Sequence, residues 1–274
     1  MYSVVLWFIV CIMLIPVHSR GPGPGMGEWL SFKPRVKRWE NWLSSKELEH
    51  WLNVTRTLPF GRTAIVGIDY NFVDDNDVTS RIHRLPSDYI YVSRVIDLHE
   101  RIAQTTGIPT DRHEQLSVLS YKPGEFFRGH LDKHALPNKT TSTRTATFFI
   151  TLNDVQSECG GSTFFPMAEP IAQPQNIDTE CNQYISHASH SDSFWTNEEY
   201  VNRTDMDRTG KYIDGFDLPN VSSIKNKGLW VQPRAGSALV WHSELPHGSI
   251  DPQSQHLGCP LHCGTKYALV VWMH

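Results

Sequence analysis

The sequence predicts an α+β fold in which two helices precede many short strands rolled into a jelly-roll double sheet. Three observations carry this. Helical patterning is confined to the part before Asp111. From there the apolar rhythm is that of short β-branched or aromatic runs broken by Pro, Gly, Asn and Asp. A hydrophobic content of 39% with 11% aromatics suffices for one packed core in 274 residues.

Taken in order, Val4 to Val17 ("VVLWFIVCIMLIPV") is apolar without a break. It is short for a membrane span of about 20 residues and fits a secretory h-region, with small residues at Val17 and Ser19 before Arg20. Residues 1–19 therefore read as a signal peptide, or as a short uncleaved membrane anchor formed by residues 4–17. Residues 20–40, opening with "RGPGPGMG", read as linker. Ser44, Ser45, Lys46 and Glu47 make a capping box, which predicts a short helix through about Trp51. Gly67 to Arg84 is acidic and turn-rich and reads as a long loop. Ser87 can cap a second helix, with Val92, Val95, Leu98 and Ile102 at helical spacing and Gly107 closing it.

Strands are expected in "EQLSVLSY", "FFRGHLD", "TRTATFFITLN", "LWVQP", "SALVWH" and "KYALVVWM". Phe148, Phe149, Trp241 and Trp272 in these runs read as core. The domain is expected over 41–274, with a long polar insertion at about 167–229.

The net charge of −4 gives no support to nucleic-acid binding. Past the leader, Cys159, Cys181, Cys259 and Cys263 form an even set. In an oxidising compartment this predicts one or two disulfides out of three pairings. Sequons at Asn53, Asn138, Asn202 and Asn220 fit the same compartment and a glycoprotein.

Chemistry enters at Tyr121 to His134, "YKPGEFFRGHLDKH". His130 and Asp132 stand two apart in a strand-like run, so both side chains point to one face and can converge on one ion. His190-Ser191-Asp192 repeats the pattern in a polar segment with no strand to orient it. His242-Ser243-Glu244 is a near match at the end of a strand. Two His and one carboxylate on one face leave positions open, as in non-haem Fe(II) oxygenases. The second His has four candidates: His242, His247, His256 and His262. A 2-oxoglutarate-using oxygenase must also meet the far carboxylate of that keto-acid with a cation. "QHLGCPLHCGTK" places His256 ten residues before Lys266, with a turn at Cys259-Pro260 between them. Arg144 is a further candidate for the co-substrate pocket.

From about Trp42 to His274 the chain resembles a prolyl 4-hydroxylase catalytic domain of the compact plant and algal kind, related to the animal collagen enzyme. The blocks "WLSSKELEH", "RTATFFITLNDV", "GGSTFFP", "VQPRAGSALVWH" and "DPQSQHLGCPLHCGTKYALVVWMH" occur in the family's order. The resemblance implies a double-stranded β-helix (jelly-roll) core with N-terminal supporting helices. It implies His130, Asp132 and His256 as iron ligands, Lys266 on the far carboxylate of 2-oxoglutarate, and Tyr121 lining that pocket. Thr151 stands where many relatives carry Tyr near the co-substrate.

The implied activity is hydroxylation of peptidyl proline at C4 with Fe(II), 2-oxoglutarate and O2, with ascorbate as the rescuing reductant. The expected partner is a proline-rich or collagen-like peptide in the endoplasmic reticulum lumen or secretory pathway, and no nucleic acid. Need for a second subunit is left open. Two rivals stand beside this reading: a related dioxygenase acting on lysine or another residue, and an inactive peptide-binding module of the same fold.

Overall fold

The computed structural model describes residues 25–62, 65–66, 72–73, 81–85, 92–132, 144–172, 181 and 228–274. Strands β1 (Glu28–Phe32) and β2 (Arg35–Trp39) form an antiparallel hairpin, followed by helix α1 (Ser45–Thr57). Then come β3 (Gly61–Arg62), β4 (Ile65–Val66), β5 (Phe72–Val73), β6 (Arg81–Arg84) and helix α2 (Val92–Thr106). The strands that follow are β7 (Ser117–Tyr121), β8 (Phe127–His130), β9 (Ala146–Thr151) and β10 (Thr163–Phe165). The last four are β11 (Leu229–Val231), β12 (Ala238–His242), β13 (His256–Gly258) and β14 (Lys266–Met273).

Among the described residues the strands make a major sheet of order β1-β2-β12-β9-β14-β7-β6-β3 and a minor sheet of order β11-β10-β13-β8, with β4-β5 a separate pair. Among the described residues the strand pairings within both are antiparallel. This is the expected double-stranded β-helix arrangement.

Helix α1 starts where the capping box places it: the Ser44 side chain accepts from Glu47 N–H, and the Glu47 carboxylate accepts from Ser44 N–H at 2.8 Å. It runs past Trp51 to Thr57 because Trp51 and Val54 both bury against the sheet, and it stops before Pro59. Helix α2 buries Leu98 and Ile102, and ends at Gly107, whose φ of 77° is the left-handed close that a side chain resists. Ser87 lies outside the described residues.

Both helices cover the outer face of the major sheet. The period of two in the strands then sorts every side chain. On β9, Ala146, Phe148 and Ile150 face the helices, whereas Phe149 faces the minor sheet. On β14, Leu269, Val271 and Met273 go to the helix side, and Ala268 and Val270 to the interior between the sheets. Burial on both faces explains why this strand is apolar almost throughout. A third cluster, Phe164, Cys181, Trp230, Leu257 and Cys259, joins Cys181 of the insertion to minor-sheet residues.

Two expectations change. Residues 20–40 were expected as linker, but Glu28–Trp39 is a hairpin that extends the major sheet through β2 and β12, with Val36 fully buried. Its Arg- and Lys-rich strand reads as solvated until the partner strand, some two hundred residues on, is known. Gly67 to Arg84 was expected as loop throughout, yet Arg81–Arg84 pairs with β7 and Phe72–Val73 with β4.

The insertion is described only at its start, at Cys181 and at its end. Glu169 and Ile171 bond through their backbone N–H groups to Lys33 and Leu30 of the hairpin. The four cysteines pair as Cys159–Cys263 and Cys181–Cys259. Cys259 and Cys263 bracket the turn between β13 and β14, so both bridges anchor the connection from His256 to Lys266. His190, Asn138, Asn202, Asn220 and the apolar run Val4 to Val17 lie outside the described residues.

Candidate metal centre

A Pro123-Gly124 turn, with Gly124 at φ 84°, reverses the chain from β7 into β8. Strand β8 ends at His130, and Asp132 follows in a bend rather than within the strand. His256 opens β13 and is the direct register partner of His130. Cross-strand pairing thus brings together two imidazoles far apart in sequence, with ring centroids 4.3 Å apart.

Nε2 of His130 lies 3.8 Å from Oδ1 of Asp132, and Nε2 of His256 lies 3.7 Å from Oδ2. One donor atom from each of the three residues falls within 4.8 Å of the others. Asp132 and His256 are buried and His130 is half-buried.

The other ring nitrogens settle the tautomers. Nδ1 of His130 is 2.8 Å from the Arg128 carbonyl, and Nδ1 of His256 is 3.0 Å from the Ser254 carbonyl. A carbonyl only accepts, so each Nδ1 carries the proton and each Nε2 turns a lone pair to the centre. Burial first, then the neighbouring His256, pushes His130 far below the ordinary imidazole value, so its resting form is neutral. Burial opposes the charge on Asp132. His256 and His130 in their protonated forms, Arg144 and the Thr147 hydroxyl outweigh it and hold the carboxyl below its usual range.

Asp132 is held by one row of the major sheet. Thr147 on β9 pairs in register with Trp241 on β12 and with Trp272 on β14. All three donate to the carboxylate: Thr147 Oγ1 at 2.5 Å and Trp241 Nε1 at 3.0 Å to Oδ2, Trp272 Nε1 at 3.0 Å to Oδ1. The two tryptophans were expected as plain core. Their apolar surroundings fit that reading, but their N–H groups serve the centre.

Lys266 enters the interior from the start of β14 and is 2% exposed. Its Nζ donates to the Gly161 carbonyl at 2.7 Å and lies 5.1 Å from the ring centre of Tyr121, its register partner on β7. Among the described residues it meets no carboxylate, and burial lowers it to about 7. The cavity beside it is lined by Thr151, Thr163, Gln232, Ser237 and Arg38. Arg38 had been hidden in the supposed linker.

Arg144, a candidate for this pocket, stands elsewhere. It pairs with Glu114, with Nη2 2.8 Å from Oε2, and lies 4.2 Å above the Trp272 ring, six residues along β14 from Lys266. His242 and His247 do not join the metal group either. His242 alternates with Trp241, and His247 sits exposed in a turn, bonded to Ser249.

Two imidazoles and one carboxylate, with nothing else of the described chain in the donor set, suit a divalent iron that keeps free positions. A profile of the 2OG-Fe(II) oxygenase superfamily matches residues 116–274, more than half of the chain. The chain belongs to the 2OG-Fe(II) oxygenase superfamily.

For a 2OG-Fe(II) oxygenase, the family implies Fe(II), 2-oxoglutarate and O2. Among curated proteins of Arabidopsis thaliana, the chain is 28% identical over 265 residues to "Probable prolyl 4-hydroxylase 3", covering 94% of this chain and 76% of that one. It is 28% identical over 262 residues to "Prolyl 4-hydroxylase 5", covering 93% and 75%. These matches agree with the prolyl 4-hydroxylase resemblance carried by the sequence blocks. A solved structure of a prolyl hydroxylase in complex with a hypoxia inducible factor oxygen degradation domain peptide fragment, from Trichoplax adhaerens, superposes with a TM-score of 0.51. At 14% identity, covering 87% of this chain and 82% of that one, it speaks for the shared fold alone.

Proposed function

We propose that this chain hydroxylates peptidyl proline at C4, consuming 2-oxoglutarate and O2 and releasing succinate and CO2. The observation that carries the chemistry is the convergence of His130, Asp132 and His256, with both imidazoles locked in the ligating tautomer. The substrate class rests on the prolyl 4-hydroxylases that the chain matches over 93–94% of its own length.

His130, Asp132 and His256 hold Fe(II). When bound, the iron supplies the oxidising chemistry that splits O2 between succinate and the proline ring. Lys266 meets the far carboxylate of 2-oxoglutarate, and its ammonium is stabilised by the charge it meets. Tyr121 and Thr151 line that pocket, and the apolar interior between the sheets keeps water from it. Ascorbate is the reductant that restores the iron after uncoupled turnover.

The enzyme works in the endoplasmic reticulum lumen or secretory pathway, where residues 1–19 deliver it and where sequons are glycosylated. Two cystine pairs fit an oxidising compartment.

The test is mass spectrometry of proline-rich and collagen-like peptides after incubation with the enzyme, Fe(II), 2-oxoglutarate and ascorbate. The expected result is one added oxygen per turnover on proline, with matched succinate. Oxygen on lysine with proline untouched assigns the activity to a different substrate.

A further inference from the structure

We infer that Trp241 is a positioning residue of the metal centre, which with Thr147 occupies Oδ2 of Asp132 so that the carboxylate meets the metal through Oδ1 alone. The inference rests on the metal-centre reading above.

An ionised carboxylate offers about four lone-pair sites, two on each oxygen. Oδ2 takes two hydrogen bonds, from Thr147 Oγ1 at 2.5 Å and Trp241 Nε1 at 3.0 Å. Oδ1 takes one, from Trp272 Nε1 at 3.0 Å. Three sites are filled by protein donors, and the one that remains is on Oδ1. Oδ2 lies 3.7 Å from Nε2 of His256. It is near the centre, yet its lone pairs are spent.

The arrangement is built into the sheet. Trp241, Thr147 and Trp272 are consecutive register partners across β12, β9 and β14. Adjacent strands lie about 4.8 Å apart, so three donors converge on one buried carboxylate from a fixed row. Trp241 itself cannot swing away. Its ring packs against His256 with centroids 4.6 Å apart, meets Phe165 edge-on at 5.5 Å, and is 2% exposed. One side chain thus sets the oxygen that Asp132 presents and the plane in which His256 lies.

The functional reason is coordination space. A keto-acid that chelates through two atoms, together with O2, needs three positions beside three single-atom protein ligands. An Asp132 bound through both oxygens takes one of those positions. Occupying Oδ2 prevents it.

The experiment uses the full chain with Trp241→Phe, which keeps the aromatic face on His256 and removes only the N–H. Thr147→Val, which removes the other bond to Oδ2, is the companion if Trp241→Phe does not fold. Fe(II) affinity is measured anaerobically by calorimetry. The affinity of the Fe(II)-loaded protein for 2-oxoglutarate is measured by the visible charge-transfer absorption of the complex. Loss of one hydrogen bond to a charged group sets the scale: 2-oxoglutarate affinity of the Fe(II)-loaded protein should fall about tenfold or more, and by a larger factor than Fe(II) affinity does. Thr147→Val should move in the same direction. A merely structural role loosens both together, so equal losses overturn the inference, as does 2-oxoglutarate affinity within about threefold of wild type in both variants. Wild-type protein that takes up no Fe(II) overturns the metal-centre reading itself.

Discussion

His130 and His256 face each other across β8 and β13 as direct register partners, and each engages through Nδ1 the carbonyl two residues before it. Backbone carbonyls therefore pre-aim both ligands. No rearrangement of either ring is needed to present Nε2.

This symmetry predicts a sharp division among the histidines. His256→Ala should lose metal binding and succinate release by more than the 10–100-fold typical of residues that only orient a ligand, on the order of complete loss. His247→Ala should keep most activity, since His247 sits in an exposed turn. Iron content after dialysis and succinate release decide it. An inactive His247→Ala beside an active His256→Ala reverses the assignment.

Lys266 should be the anchor of the co-substrate. Breaking a buried charge pair costs about 3–5 kcal/mol, which is roughly a hundred- to several-thousand-fold in affinity. Lys266→Ala should raise the half-saturating 2-oxoglutarate concentration on that scale while Fe(II) still binds. Lys266→Arg should recover part of the loss, because the charge is kept but the planar fork is bulkier. A Lys266→Ala value within about threefold of wild type removes the lysine from this role.

The same residue predicts a proton linkage. Burial lowers free Lys266 from 10.5 to about 7, and the arriving carboxylate raises it again. Above pH 7 the free amine is neutral and must take up a proton on binding. Affinity should therefore fall as pH rises above about 7, approaching tenfold per pH unit, and level off below it. For the protein without co-substrate the sign is opposite. The unfolded lysine protonates first, so the cost to stability grows as pH falls from 10.5 to about 7 and is constant below. Calorimetry in buffers of different ionisation enthalpy reads the proton uptake directly. Zero uptake at pH 8 contradicts the linkage.

The Cys159–Cys263 bridge closes a loop of 104 residues beside Gly161, the partner of Lys266. Replacing both cysteines by Ala should lower stability by about 2–5 kcal/mol. The midpoint of denaturant unfolding measures this. An unchanged midpoint assigns the bridge no stabilising role.

Much of the centre was legible because its signals are local. His130 and Asp132 announce themselves by a spacing of two, and Lys266 by its distance from His256. The row that holds Asp132 was not legible. A Trp in an apolar strand reads as core, and the acceptor for Trp241 and Trp272 lies 109 and 140 residues away. The β1–β2 hairpin was missed for the same reason, as its pairing with β12 has no trace in its own composition. Cysteine pairing has three solutions in any sequence of four, and only the fold selects one.

Strand β14 works as a ruler. Lys266 stands at its start and Trp272 near its end on the same face, and hydrogen bonds to β7 and β9 on either side keep it from flexing. The lysine proposed to grip a dicarboxylate's tail and a tryptophan that holds the ligand Asp132 thus stand on one rigid rod, which fixes the two ends of the site relative to each other. Length becomes the selected property of the co-substrate. A diacid one carbon shorter or longer, such as oxaloacetate or 2-oxoadipate, fits one end and misses the other, and should drive turnover far less well than 2-oxoglutarate at equal concentration.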